Sequence, residues 1–152
     1  MITRQIALAD EGETRALGRR IITAAQPSDC FTLTGDLGVG KTALARAAIQ
    51  ALLGPDCTVP SPTFTLVQIY EGPSGRIWHF DLYRIGAPDE LLELGIEEAA
   101  RDIMLVEWPD NGAPYLPDRH IALSLSFAKE AEARHVQISA DGAWFERFDR
   151  AN

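Results

Sequence analysis

An apolar run, Cys30–Thr34, leads directly into Gly35-Asp36-Leu37-Gly38-Val39-Gly40-Lys41-Thr42 and then into an alanine- and leucine-rich segment that stops at Gly54 and Pro55. The octapeptide fits the pattern G-x-x-x-x-G-K-[ST], with a strand expected before it and a helix, Thr42 to Leu53, after it. No other feature constrains the fold as strongly. Glycines let successive backbone amides curl around a phosphate group, and the start of a helix adds the favourable end of its dipole. In such a loop Gly35, Asp36, Leu37, Gly38, Val39 and Gly40 form the cradle. Lys41 reaches the β- and γ-phosphates, and the Thr42 hydroxyl ligates magnesium. ATP with Mg2+ is the ligand this expectation names.

The rest of the chain supplies the partners of that unit. Arg4 to Leu8 reads as a short strand. Asp10 followed by Glu13 forms a capping-box pattern for a helix that turns Ala16, Leu17, Ile21 and Ile22 inward and ends before Pro27. Thr65 to Glu71 and Arg76 to Leu82 read as two strands joined through Gly72, Pro73, Ser74 and Gly75, a hairpin. Pro88 to Ala100 is helical with a break at Gly95. Ile103 to Glu107 is an apolar strand whose Ile-Met-Leu-Val run implies burial on both faces. His120 to Phe127 and His135 to Ser139 are two further strands, antiparallel if a hairpin joins them. Ala143 to Arg150 is compatible with a helix or a strand. The expected fold is an α/β, phosphate-loop NTPase-like three-layer sandwich. Its sheet is mixed, since helical crossovers make parallel pairs and hairpins antiparallel ones. One domain over residues 1–152 accommodates all of this.

Composition narrows the function. The 152 residues carry 14 basic and 22 acidic side chains, a net charge of −8. Nucleic-acid binding draws most of its affinity from neutralised phosphates, so stable direct DNA or RNA binding by the isolated chain is not expected. No apolar run approaches the roughly 20 residues that span a bilayer, and Met1 to Ala9 lacks a signal-peptide core, so a cytoplasmic protein is expected. Cys30 and Cys57 have no cysteine or histidine near them at metal-ligand spacing and read as free thiols.

A phosphate loop needs an acidic group to hold the metal or its water shell. Glu107, at the end of the apolar strand Ile103 to Glu107, is the better match, and Asp81 the second. Ser61-Pro62-Thr63-Phe64-Thr65 lies where nucleotide switches offer a hydroxyl to the γ-phosphate or metal; a plain turn is the other reading. His79 alternates with Asp81 on one strand face and reads as a hydrogen-bonded core or rim residue. Trp78 and Phe80 occupy the opposite face, in the core. His120 and His135 begin or line strands. Trp108, directly after Glu107, could pack over a nucleotide or under a loop. Asp89, Glu90 and Glu93 read as a solvated helix face.

Four segments in this order, GDLGVGKT (Gly35 to Thr42), SPTFTLV (Ser61 to Val67), HFDLYR (His79 to Arg84) and LVEWP (Leu105 to Pro109), resemble the TsaE family. This is the bacterial ATPase family of tRNA threonylcarbamoyladenosine modification. The resemblance spans most of the chain and is weakest over Met1 to Ile22 and after Pro117. It implies a small mixed-sheet fold, magnesium-dependent ATP hydrolysis, and a partner: the threonylcarbamoyl transferase protein complex (TsaB/TsaD-like) that modifies tRNA position 37. The family's ATPase supports turnover of that complex and does not itself transfer the group. By position, the resemblance gives Lys41 and Thr42 to phosphate and metal, and Glu107 to the metal side. It makes Asp81 an acid important for activity, Thr63 the switch-like hydroxyl and Trp108 an aromatic beside the nucleotide. For the adenine side it points to Glu11 and Arg134. Ala43 departs from the family, which often has a second threonine there. Partner contact is expected near Ser61 to Thr65 and Asp81 to Arg84.

Two other function classes share the loop. A small-molecule or nucleotide kinase usually adds an arginine-bearing lid, and no arginine-rich insertion is present. A nucleotide-dependent adaptor with little hydrolysis differs in rate alone. A GTPase is disfavoured because no N-K-x-D segment reads guanine; the asparagines are Asn111 and Asn152.

Overall fold

A computed structural model of the protein describes residues 1–73 and 75–151. Ser74, in the expected hairpin connection, and Asn152 lie outside the described residues. The chain runs β1 (Ile2–Leu8), α1 (Glu11–Ala24), β2 (Cys30–Thr34), α2 (Lys41–Leu53), β3 (Val67–Gly72), β4 (Gly75–Asp81), α3 (Glu90–Leu94), α4 (Ile96–Ala99), β5 (Ile103–Glu107), β6 (Ile121–Phe127), β7 (Arg134–Ala140) and α5 (Gly142–Arg150). A 3-10 turn, Pro109–Gly112, follows β5. Among the described residues no helix is long and apolar enough to cross a membrane.

The seven strands form one sheet in the order β1-β7-β6-β2-β5-β4-β3. β6, β2, β5 and β4 run parallel, while β1 with β7, β7 with β6, and β3 with β4 pair antiparallel. The expected mixed sheet is therefore present, with its parallel part in the middle. β2 sits where the connections diverge: β5 flanks it on one side and β6 on the other. In open α/β sheets that switch point, at the carboxyl ends of the strands, opens a crevice for ligands. The phosphate-loop sequence begins there.

Side-chain alternation along the strands builds two cores. On one side Phe31, Leu33, Ile77, Ile103, Leu105, Ile121 and Leu123 pack with α1, α2 and α5. On the other, Cys30, Trp78, Phe80, Met104 and Val106 pack with Leu91 of α3 and Ile96 and Ala99 of α4. These are the three layers. Each large apolar side chain removed from water in this way contributes about 1.5–3 kcal/mol before chain entropy is counted.

Local signals explain most element ends. Asp10 caps α1 by accepting from the Glu13 amide at 3.0 Å, and the Glu13 carboxylate accepts from the Ala9 amide at 3.1 Å. The reciprocal bond thus falls one residue ahead of the capping-box pattern. Gly95 breaks the Pro88–Ala100 segment into α3 and α4, as its backbone turns left-handed. The C-terminal segment is a helix. Asp141 caps it, and Trp144, Phe145 and Phe148 go into the core. Arg147 anchors it by donating to the Ala24 carbonyl and to the buried Asp29 carboxylate. The strand expected from Thr65 begins only at Val67. Here the Leu66 amide bonds back to the Pro62 carbonyl at 2.7 Å and Leu66 takes a positive φ, so residues 63–66 turn. Both cysteines are free, and burial pushes the Cys30 thiol up to about 12, with the Asp29 charge adding to it.

Candidate functional site

The loop between β2 and α2 owes its path to its glycines. Gly35 has φ +143°, and a Cβ there would lie 2.5 Å from the Leu125 carbonyl oxygen. Gly40 has φ +115° and forms the left-handed entry to α2. No side chain caps the first amides of α2, and no acid stands in its first turn. Those amides and the helix dipole are therefore available to an anion. Lys41 is buried. Its ammonium donates to the carbonyls of Gly35 (2.5 Å) and Asp36 (3.0 Å) and lies 4.1 Å from the centre of the Trp108 ring. Burial lowers the Lys41 pKa, while the charges of Glu107, Asp81 and Asp36 oppose that shift.

β4 and β5 bring the acids to the same place. Parallel pairing sets Asp81 beside Glu107 at the carboxyl ends of the two strands. Alternation turns His79, Asp81 and Glu107 to the face that carries α2, in line with Ile77, Ile103 and Leu105. Glu107 is 2% exposed. One of its oxygens accepts from the Thr42 hydroxyl at 2.7 Å, and the other is 2.7 Å from His79 Nε2. Asp81, 4% exposed, accepts from the Thr63 hydroxyl and from the Tyr83 amide, each at 3.0 Å. Thr63 also shares a 2.7 Å hydrogen bond with Ser61.

Trp108 follows Glu107 in a left-handed backbone conformation, φ 58° and ψ 52°. That turn puts its ring against the Lys41 ammonium and against Tyr83, whose ring centre is 4.9 Å away. A cleft of about 240 Å³ is lined by Lys41, Thr42, Thr63, Asp81, Glu107 and Trp108. Four separated stretches of sequence thus meet in one place. A second cleft, about 340 Å³, adjoins it across Gly38, Gly40 and Ala43. Glu11 and Arg134 line this second cleft together with Arg46 and Gln50. Both residues expected on the adenine side therefore lie beside the loop, in the cleft that Asp81 and Glu107 do not line. Arg134 donates to the Val39 carbonyl at 2.7 Å, tying β7 to the loop.

Chemically, the loop amides and Lys41 could hold a phosphate chain, and Thr42 with Glu107 could hold a divalent cation. Among the described residues no three His, Cys, Asp or Glu side chains are grouped to bind a metal by themselves. A hard cation held here would draw its remaining ligands from phosphate oxygens and water, as magnesium commonly does. The donor set fits that ion.

His79, read from the sequence as a hydrogen-bonded core or rim residue, is fully buried in the core, and its hydrogen-bond partner is Glu107. The two-residue alternation with Asp81 was the available signal. The bond to Glu107 needed the β4–β5 register. Tyr83 against Trp108 and the Arg134–Val39 bond had no local signature. Asp89 and Glu93 are exposed and Glu90 partly so, in keeping with a solvated helix face.

Comparison with known proteins agrees with this architecture. The family model described as "Threonylcarbamoyl adenosine biosynthesis protein TsaE" matches residues 8–136. A tRNA threonylcarbamoyladenosine biosynthesis protein TsaE of Rickettsia bellii is 38% identical over 126 residues, covering 82% of this chain and 88% of that protein. The protein of the same name from Bacillus subtilis is 33% identical over 136 residues, covering 88% and 84%. The crystal structure of Bacillus subtilis YdiB superposes with a TM-score of 0.79 at 25% identity, over 98% of this chain and 95% of that one. The chain belongs to the TsaE family of tRNA threonylcarbamoyladenosine biosynthesis proteins.

Proposed function

We propose that the protein binds and hydrolyses ATP with magnesium, in the cytoplasm, and serves the threonylcarbamoyl modification of tRNA position 37 through a transferase partner complex. One observation carries the reading: the Thr42 hydroxyl, at the start of α2, is 2.7 Å from the buried Glu107 carboxylate, with Lys41 and Asp81 beside it. A buried acid next to an uncapped helix start and a lysine is what a metal–polyphosphate site requires.

Hydrolysis joins a water oxygen to the γ-phosphorus and breaks the bond to the β–γ bridging oxygen. Magnesium, when bound, offsets triphosphate charge. The chain's own contribution is positional and electrostatic. Lys41, held between loop carbonyls and the Trp108 ring, keeps a positive charge at the loop. Glu107 fixes Thr42. Asp81 fastens Thr63 to the Tyr83 backbone and so links the Ser61–Thr65 segment to the end of β4. Trp108 and Tyr83, packed on one another, wall one side of the cleft.

The partner side is supported by exposure next to these groups. Phe64 is 82% exposed, Tyr83 45%, and the Arg84 guanidinium stacks 4.7 Å from the Phe64 ring. Apolar side chains this open beside a nucleotide site suit contact that senses the γ-phosphate. A partner that prefers the ATP form must, by linkage, raise ATP affinity by the same factor.

The test is ATP turnover by the purified chain, with and without the transferase pair, beside binding to that pair in ATP, ADP or no nucleotide. Turnover that rises with the partner, and nucleotide-dependent partner binding, are expected. A gel-shift with tRNA alone should show only weak, salt-sensitive affinity given the −8 charge. Tight tRNA binding by the lone chain with nucleotide-blind partner binding would reverse the proposal.

A further inference from the structure

His79 is the one fully buried titratable side chain of β4. Its Nε2 lies 2.7 Å from the Glu107 oxygen that Thr42 does not use, while its Nδ1 is buried with no partner. The two facts assign the tautomer. A hydrogen on Nε2 completes a bond to the carboxylate, whereas one on Nδ1 would be buried with nothing to accept it. The ring itself cannot swing. It lies on β4 one pleat before Asp81, level with Leu105 of β5, and it is wholly excluded from solvent.

The Glu107 carboxylate is therefore gripped from both ends, by His79 from below and by the Thr42 hydroxyl from the loop. Without the His79 bond, the Thr42 hydroxyl alone of these two partners would hold the carboxylate, and its broad last torsion would be less restrained. We propose that His79 is a positioning residue that orients Glu107 toward the metal side of the phosphate site. This rests on the reading of Glu107 and Thr42 as the cation's holders. Outer partners of this kind typically change metal affinity by 10- to 100-fold when removed.

Calorimetric titration of ADP, first in EDTA and then over a series of magnesium concentrations, tests the idea without relying on turnover. Wild-type protein should bind ADP more tightly with magnesium, and Glu107→Gln should lose that gain. His79→Leu should shift the magnesium midpoint upward by about 10- to 100-fold while ADP affinity in EDTA stays within threefold of wild type. His79→Gln, whose amide nitrogen reaches the Nε2 position, should restore the midpoint. His79→Asn, too short to reach, should not. In the Glu107→Gln background, His79→Leu should have no further effect on the midpoint.

If Glu107→Gln loses the magnesium gain but His79→Leu and His79→Asn keep it within threefold, His79 does not position Glu107. Equal behaviour of the Gln and Asn variants also overturns the proposal, and this pair decides should the Leu variant unfold. If wild type shows no magnesium gain, or Glu107→Gln retains it, the metal reading itself falls and takes this inference with it.

Discussion

Replacing Lys41 by methionine keeps most of the side chain's length and removes one buried positive charge. In the folded protein that charge is shared between the carbonyls of Gly35 and Asp36 and the Trp108 ring, with Glu107, Asp81 and Asp36 contributing opposite charge nearby. Two unit charges about 4 Å apart attract by about 4 kcal/mol at an effective dielectric of about 20. To meet a phosphate the ammonium must give up a carbonyl bond worth about 1.5–3 kcal/mol. A net loss of about 2 kcal/mol, roughly 30-fold in ATP affinity, is therefore expected for Lys41→Met. Turnover should fall further, since charge on the transferring group increases the demand for a fixed cation. Calorimetry with magnesium–ATP and a phosphate-release assay measure the two. Binding within threefold of wild type, with turnover above one tenth, would refute the assignment of Lys41 to the phosphates.

The same lysine gives a pH signature. Its folded pKa is lowered by burial, so between that value and the unfolded value the unfolded chain binds more protons. Stability must then rise with pH in that window, as the cost of the buried ammonium disappears. ATP affinity must move the opposite way, falling as Lys41 loses its proton. The buried Cys30 thiol, pushed up to about 12, makes stability fall with rising pH in both proteins. The Lys41 contribution is therefore the difference between wild type and Lys41→Met. Across the alkaline range that difference should rise in melting and fall in ATP affinity.

Thr42→Ala and Glu107→Ala should each raise the magnesium needed for turnover or abolish it, checked by metal titration. Glu107→Ala should be the more severe, and it should also lower stability by about 1–3 kcal/mol, because the Thr42 and His79 donors lose their buried acceptor. Arg134→Ala removes the 2.7 Å bond to the Val39 carbonyl and should weaken ATP binding by about 1 kcal/mol, roughly fivefold, with the magnesium midpoint unchanged. ATP should bind better than GTP in a calorimetric comparison; equal affinities would contradict the adenine preference. Gly18→Val tests the packing under the second cleft. A Cβ there would lie 2.8 Å from the Ala47 Cβ and 2.9 Å from the Ala48 amide, so thermal melting should report a loss of about 1–3 kcal/mol.

The phosphate loop, the strand before it and the helix after it are legible in the chain, because a glycine pattern and an apolar period are local properties. So are the alternation of His79 with Asp81 and the capping of α1 by Asp10, which need only neighbours in the chain. The C-terminal segment stayed open between helix and strand because its core contacts, Phe31 against Trp144 among them, come from distant residues. Only in the folded sheet does β4 pair with β5 in the register that sets Asp81 beside Glu107. The same register gives Glu107 a buried histidine on one oxygen, and the start of α2 brings Thr42 to the other. Hydrogen bonds between residues 28 and 65 positions apart leave no periodic trace in the chain. They arise only when parallel strands and the α2 start close on one another, and it is there that a set of ordinary side chains becomes a site.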